Sequence, residues 1–301
     1  MSARRPLAVL IAALLLRLAA GASAGPLPPT GTPAPQVARV PAPAPAPVEL
    51  TEAAFSAAGK QPVAPAPPPA PEPARPAQAC PPDMVLVGGD YCTEVKQTCK
   101  HWLDDRKLPF ARCGEYEKPA RCVGRRVHLQ FCIDRYEYTR PGEQLPANYQ
   151  SFVTVSRLCK KLGKRVCTEG EWNFACEGEQ MRPYPYGWKR EPVCNQDQSD
   201  LYKPNPRRRV LRDLRKPADA NPHCVSPFGV YDMVGNLDEP VLREEARYAT
   251  PFRNGLKGGW WMAGRNRCRP ATTAHDDYYN DIQVGARCCA DAPGDERGAT
   301  G

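Results

Sequence analysis

The residues of this 301-residue chain best able to do chemistry are fourteen cysteines, four histidines and a few closely spaced acids. The cysteines all fall between Cys80 and Cys289, an even and dense set without a single C-x-x-C pair. That spacing points to disulfides and away from thiolate zinc sites. His101, His128, His223 and His275 are scattered, with no H-E-x-x-H array, and neither a G-x-S-x-G elbow nor a P-loop occurs. His275-Asp276-Asp277 has the residue types of acid/base chemistry, but beside Tyr278, Tyr279 and Asp281 it reads as a surface loop. Asp134 and Glu137 admit two readings: a paired-carboxylate acid/base site, or ion pairs with Arg135 and other basic groups. Asp232 and Glu239, with the backbone carbonyls of Gly235 and Leu237 between them, are hard oxygen donors in a glycine-containing loop. Such a set suits Ca²⁺; it equally describes a turn carrying two solvated acids. Arg207, Arg208, Arg209, Arg212, Arg215 and Lys216 form a basic run able to grip a phosphate or a polyanionic polysaccharide, or a solvated loop broken by prolines.

The elements that must position these groups are short. Phe152, Val155, Leu158, Cys159 and Leu162 keep a helical stripe, and Gly163 stands where a helix needs a left-handed residue after its end. Thr168 and Glu171 form a T-x-x-E capping box, followed by Trp172, Ala175 and Cys176 on one face. The spacing predicts two helices meeting at a tight corner, each with an inward cysteine. Met84 to Val87, closed by Gly88-Gly89, reads as a strand, and Phe131 to Thr139 as a second. The stretch 80–130 holds the first of these strands and a Cys-rich insert without apolar periodicity, expected to be held by disulfides.

Ahead of this folded part lie two segments of other kinds. Residues 1–24 have the order of a secretory signal: Arg4 and Arg5, an apolar run from Leu7 to Leu16, then Ala22-Ser23-Ala24. A retained N-terminal anchor is the competing reading. Residues 25–79 are dominated by Pro and Ala and read as a semi-rigid polyproline tether, reaching ~170 Å at about 3.1 Å per residue. A weak helical island is possible at Glu49–Lys60, and 292–301 reads as a disordered tail. The formal charge is +8, and losing Arg4, Arg5 and Arg17 with the leader leaves about +5, too mild to indicate a nucleic-acid binder. The expected location is secreted or periplasmic, with no membrane span once the signal is removed.

Several blocks, in order, carry a family resemblance. GKRVCTEGEWNFACEG (163–178) is similar to the GKRLPTEAEWEYACRG signature of the sulfatase-modifying-factor family, whose founding members are formylglycine-generating enzymes. FCIDRYEYT, Tyr184-Pro185-Tyr186-Gly187, Cys194-Asn195, FGVYDMVGNLDE and LKGGWWMAGRNRCRP…GARCCAD resemble further family blocks, so the likeness spans about Met84 to Asp291, with a core at 131–291. The resemblance implies an α+β fold: irregular, C-type-lectin-like, with little regular secondary structure, and here disulfide-rich. It implies a Cys159–Cys288 disulfide and leaves Cys176 without its usual partner, which falls on Thr273. Cys268 and Cys289 are candidates, with Cys132 and Cys167 also seeking partners. It implies calcium at Asp232, Gly235, Leu237 and Glu239, and a second calcium involving Asn195, although Pro240 departs from the pattern after the Glu.

The activity does not carry over with the fold. In the family two cysteines bind copper and engage a substrate thiolate, as soft ligands suit Cu(I). Here the second falls on Cys268 and the first on Ala263, while Trp260 replaces a small hydroxyl residue. Copper is therefore not expected. The reading is an exported binding or scaffolding module that is not a formylglycine generator. Its groove would be lined by Trp260, Trp261, Arg265, Arg267, Arg269 and His275, taking a peptide, protein or glycan. The alternative is a metal-dependent oxidase acting on a thiol-containing substrate, with Cys268 catalytic only as a free thiol.

Overall fold

The computed structural model describes residues 80–205, 207–244, 251–264 and 266–293. The chain divides into units 1–69 and 70–301, and every described residue belongs to the second. The signal, the whole tether with its helical island, Arg265 and nearly all of the tail lie outside the described residues. In chain order the elements are β1 (Met84–Cys92), β2 (Val95–Lys96), β3 (Cys99–Trp102), β4 (Cys113–Tyr116), β5 (Arg121–Cys122) and β6 (Arg126–Asp134). There follow α1 (Phe152–Lys161), β7 (Arg165–Val166), α2 (Glu169–Glu177), β8 (Glu239–Leu242), β9 (Asn254–Lys257), β10 (Ala271–Thr272) and β11 (Cys288–Asp291). Two short helices among small sheets and long irregular runs make an α+β fold with little regular structure.

The main sheet has the order β1-β6-β11-β7, all antiparallel. β1 does not close at Gly88-Gly89 as its composition suggests. It pairs with β6 without interruption from Met84↔Asp134 to Cys92↔Arg126, because backbone ladder bonds need no side chain. β6 correspondingly starts earlier than Phe131 and ends at Asp134. Beyond that point the backbone amides leave the sheet, Arg135 donating to Asp83 O and Tyr138 to Ala286 O. Val85, Val87, Leu129, Phe131 and Ile133 face a core that also holds Trp172, Phe174, Met233 and Val241.

The helical corner follows from its caps. α1 starts at Ser151, whose hydroxyl accepts from the Thr154 amide while Thr154 Oγ1 accepts from the Ser151 amide. It ends in a Schellman arrangement: Lys164 N donates to Cys159 O, Gly163 N donates to Lys160 O, and Gly163 takes φ = 71°. α2 opens on the Thr168–Glu171 capping box, with the Arg165 guanidinium also on the Glu171 carboxylate. Between the helices runs β7, a strand rather than the bare turn expected. Its pairing with β11 brings Cys288 and Cys289 to the corner.

All fourteen cysteines are paired. Cys159–Cys288 and Cys167–Cys289 staple the corner to β11, and Cys176–Cys268 ties α2 to the C-terminal block. Cys80–Cys132 and Cys194–Cys224 anchor loops to the core. Cys92–Cys122 and Cys99–Cys113 lie within the insert, bracing its two hairpins, β2–β5 and β3–β4.

Candidate functional site: a pocket between the insert and the C-terminal block

β9 delivers the chain into Gly258-Gly259 and then a loop that runs to β10. Gly259 has φ = 73°, and a Cβ there would fall 2.8 Å from the Asn266 side chain, so this turn requires glycine. Asn266, itself buried, donates Nδ2–H to Trp260 O and fixes the loop. The loop curves around a pocket of about 250 Å³. Leu256, Trp260, Met262 and Ala263 form one side, and Pro270, Ala271 and Thr272 another. Asp238, from the turn before β8, contributes a carboxyl that is 7 % exposed. Burial, with the neighbouring Glu239 carboxylate adding to it, pushes this carboxyl up to about 7, against the lowering effect of the Gly259 backbone N–H. Phe110 reaches the pocket from the Cys-rich insert and is 59 % exposed.

The insert thus supplies part of a wall, which its composition gave no means of seeing. Two arginines expected in the groove hold it in place. Arg269 donates to Cys92 O and Thr93 O on the insert and forms a salt bridge with the buried Glu177. Arg267 donates to Gln97 Oε1 and lies over the Tyr116 ring. Of the six groove residues expected, Trp260 lines the pocket and Arg265 is outside the described residues. Trp261 is a core residue with no exposed surface, packed edge-on to Trp260. His275 stacks on Tyr279 at 3.6 Å, and Asp277 accepts the backbone amides of Arg253 and Asn254, so that acid/base triplet braces a loop.

Cys268 is likewise fully buried, and its sulfur is bonded to Cys176. A disulfide sulfur has no thiolate to offer a metal or a substrate, so the free Cys268 thiol on which the oxidase alternative depends is not met, and Cys268 is one of the two partners weighed for Cys176. Ala263 is exposed on the pocket wall, where the resemblance would put the other cysteine.

The acidic loop lies elsewhere and is buried rather than solvated. Glu239 accepts from Arg287 Nε and Nη2 and from Trp172 Nε1, within a pair that is almost wholly inaccessible. Asp232 accepts from Asn221 through Oδ1, while its buried Oδ2 meets no hydrogen-bond donor. Glu137 accepts from Asn236 Nδ2 and the Leu237 amide, and burial together with the Asp232 and Glu239 charges raises it well above the ordinary carboxyl range. Its former partner in the acid/base reading, Asp134, is paired with Lys164 and accepts the Cys288 amide. Asn195 is a hydrogen-bonding clamp: Nδ2 donates to Leu214 O and Asn236 Oδ1, and Oδ1 accepts from Gln198. The basic run folds back on acids and a ring, with Arg212 on Asp200, Arg215 on Asp213 and Arg209 over Tyr202. No group of three or more His, Cys, Asp or Glu side chains shaped to hold a metal occurs among the described residues.

Residues 115–292 match the sulfatase-modifying factor enzyme 1-like domain, and the chain belongs to that family. No curated protein matches it. Among solved structures it is similar to CarF, at 17 % identity and a TM-score of 0.42, over 70 % of this chain and 98 % of that one. It is also similar to PvdO from Pseudomonas aeruginosa, at 18 % identity and a TM-score of 0.44, over 74 % of this chain and 100 % of that one. Treponema denticola variable protein 1 follows at 12 % identity and a TM-score of 0.35, over 68 % and 94 %.

Proposed function

We propose that this protein is an exported, non-catalytic binding module of the family, taking a peptide, protein or glycan at the pocket beside Trp260 and Ala263. The observation that carries this reading is the Cys176–Cys268 disulfide together with Ala263: no thiolate is left where soft-metal chemistry would need two. Seven disulfides suit an oxidising compartment, and no helix among the described residues is long and apolar enough to cross a membrane. The test is titration of the purified mature chain with Cu(I) while oxygen uptake is followed with a thiol peptide. The expected outcome is neither copper-dependent oxygen consumption nor peptide oxidation. Uptake that a Cys268→Ser variant abolishes would mean an oxidase instead.

Calcium remains part of the proposal, in a restricted form. The buried acids Glu137, Asp232 and Glu239 face one buried guanidinium, Arg287, so their ionised forms carry surplus negative charge. Asp232 Oδ2 is the oxygen left to meet a hard cation, with the carbonyls of Gly235 and Leu237 as partners. Glu239 is already committed to Arg287 and Trp172, which makes it an anchor of the loop more than a ligand. Millimolar calcium is expected to raise the melting temperature above that in EGTA, and Asp232→Asn to remove the increment. Equal melting in calcium and EGTA would end this part of the proposal.

A further inference from the structure

We infer that the pocket is a receptor for a lysine side chain of a peptide partner, its ammonium held by Asp238 and its aliphatic stem by Trp260, Met262 and Leu256. This rests on the binding-module reading above and adds the chemistry of what is bound.

The pocket holds a mismatch. Its walls are largely apolar, yet a carboxyl that is more than nine-tenths buried sits among them. No basic side chain among the described residues forms an ion pair with Asp238. A buried carboxylate without a counter-charge is costly, and a ligand bringing one cation into this volume relieves that cost. The geometry favours a compact cation. The Gly259 backbone N–H already favours the charged form of Asp238, which leaves the carboxyl suited to one point-like donor better than to the bidentate fork of a guanidinium. A lysine stem is apolar along four carbons and matches the Trp260 and Met262 walls, as long cationic side chains cover apolar surface elsewhere.

The size of the surroundings indicates a peptide instead of a free amine. Phe110 on the rim belongs to the β3–β4 hairpin, which also exposes Trp102 (41 %), Leu103 (46 %) and Leu108 (55 %). The hairpin is closed by Cys99–Cys113 and by the Leu103 N to Arg112 O bond, so these side chains ride on a braced element. Phe110 adds apolar surface beside the pocket that suits residues flanking the lysine.

The test uses the full mature chain, disulfides intact, at pH 8. Three pentapeptides, acetyl-Leu-Ala-Lys-Ala-Leu-amide and its norleucine and acetyl-lysine counterparts, are titrated by calorimetry or NMR. Lysine is expected to bind at least tenfold more tightly than either counterpart, and Asp238→Asn to erase that ratio. Phe110→Ala is expected to weaken the lysine and norleucine peptides by a similar factor. If lysine and norleucine bind equally to the unmodified protein, the pocket reading stands and the role of Asp238 is overturned. If none binds, both are overturned. The comparison on the unmodified chain decides the matter even if Asp238→Asn fails to fold.

Discussion

Replacing Arg287 with Met is expected to lower stability by roughly 3–5 kcal/mol, the cost of removing one partner from a buried ion pair. Arg287 has no exposed surface. Its guanidinium joins the Glu239 carboxylate, Asp134 O and Tyr231 O, and so links β8, β6 and the acidic loop. Without it, Glu239, Asp232 and Glu137 would share a buried region whose remaining cationic influence is that of the exposed Lys216 on Asp232. The melting temperature should fall on the order of 10 °C. A Glu239→Gln, Arg287→Met double variant should recover part of the loss, since it removes the orphaned charge along with its partner. A single variant melting within about a degree of the parent would show that the pair contributes little.

The second large effect concerns two nearly parallel staples. Cys159–Cys288 and Cys167–Cys289 span 129 and 122 residues, but with either one intact the other closes only a short ring. In the chain-entropy account, losing one should cost about 2.5 kcal/mol, while losing both should cost roughly 7 kcal/mol. The latter approaches the whole stability of an ordinary domain, about 5–15 kcal/mol. Either single cysteine pair changed to alanine should therefore fold with a lowered urea midpoint, and the four-alanine variant should not fold. If the four-alanine variant folds and its loss is no greater than the sum of the two single-pair losses, the two staples do not act on the same loop.

The elements that were legible in the sequence are those set by neighbours in the chain. The Thr168–Glu171 box and the glycine after Leu162 are local devices, and the helices start and stop where those residues require. Strand ends were harder, because partners decide them: β1 runs through Gly88-Gly89 since β6 continues opposite. The family likeness showed in block order, and it pointed to the loop now seen around the pocket. The pocket itself was not legible. Phe110, Asp238 and Trp260 are brought together by a disulfide-braced insert and long-range sheet pairing, neither of which leaves a periodic signal. Trp261 shows the same limit from the other side. Two adjacent tryptophans pack edge-on to each other, one lining the pocket and the other buried in the core, and residue type alone does not separate them.

Binding without oxidation at this pocket, as proposed above, requires that no thiolate be available to it. The most direct measurement is alkylation of the native exported protein under non-reducing conditions, followed by peptide mapping with mass spectrometry. The account predicts a crosslinked peptide joining Cys176 to Cys268 and no alkylated cysteine. Recovery of Cys268 as the single alkylated residue would contradict it, and would place a retained thiol beside Ala263.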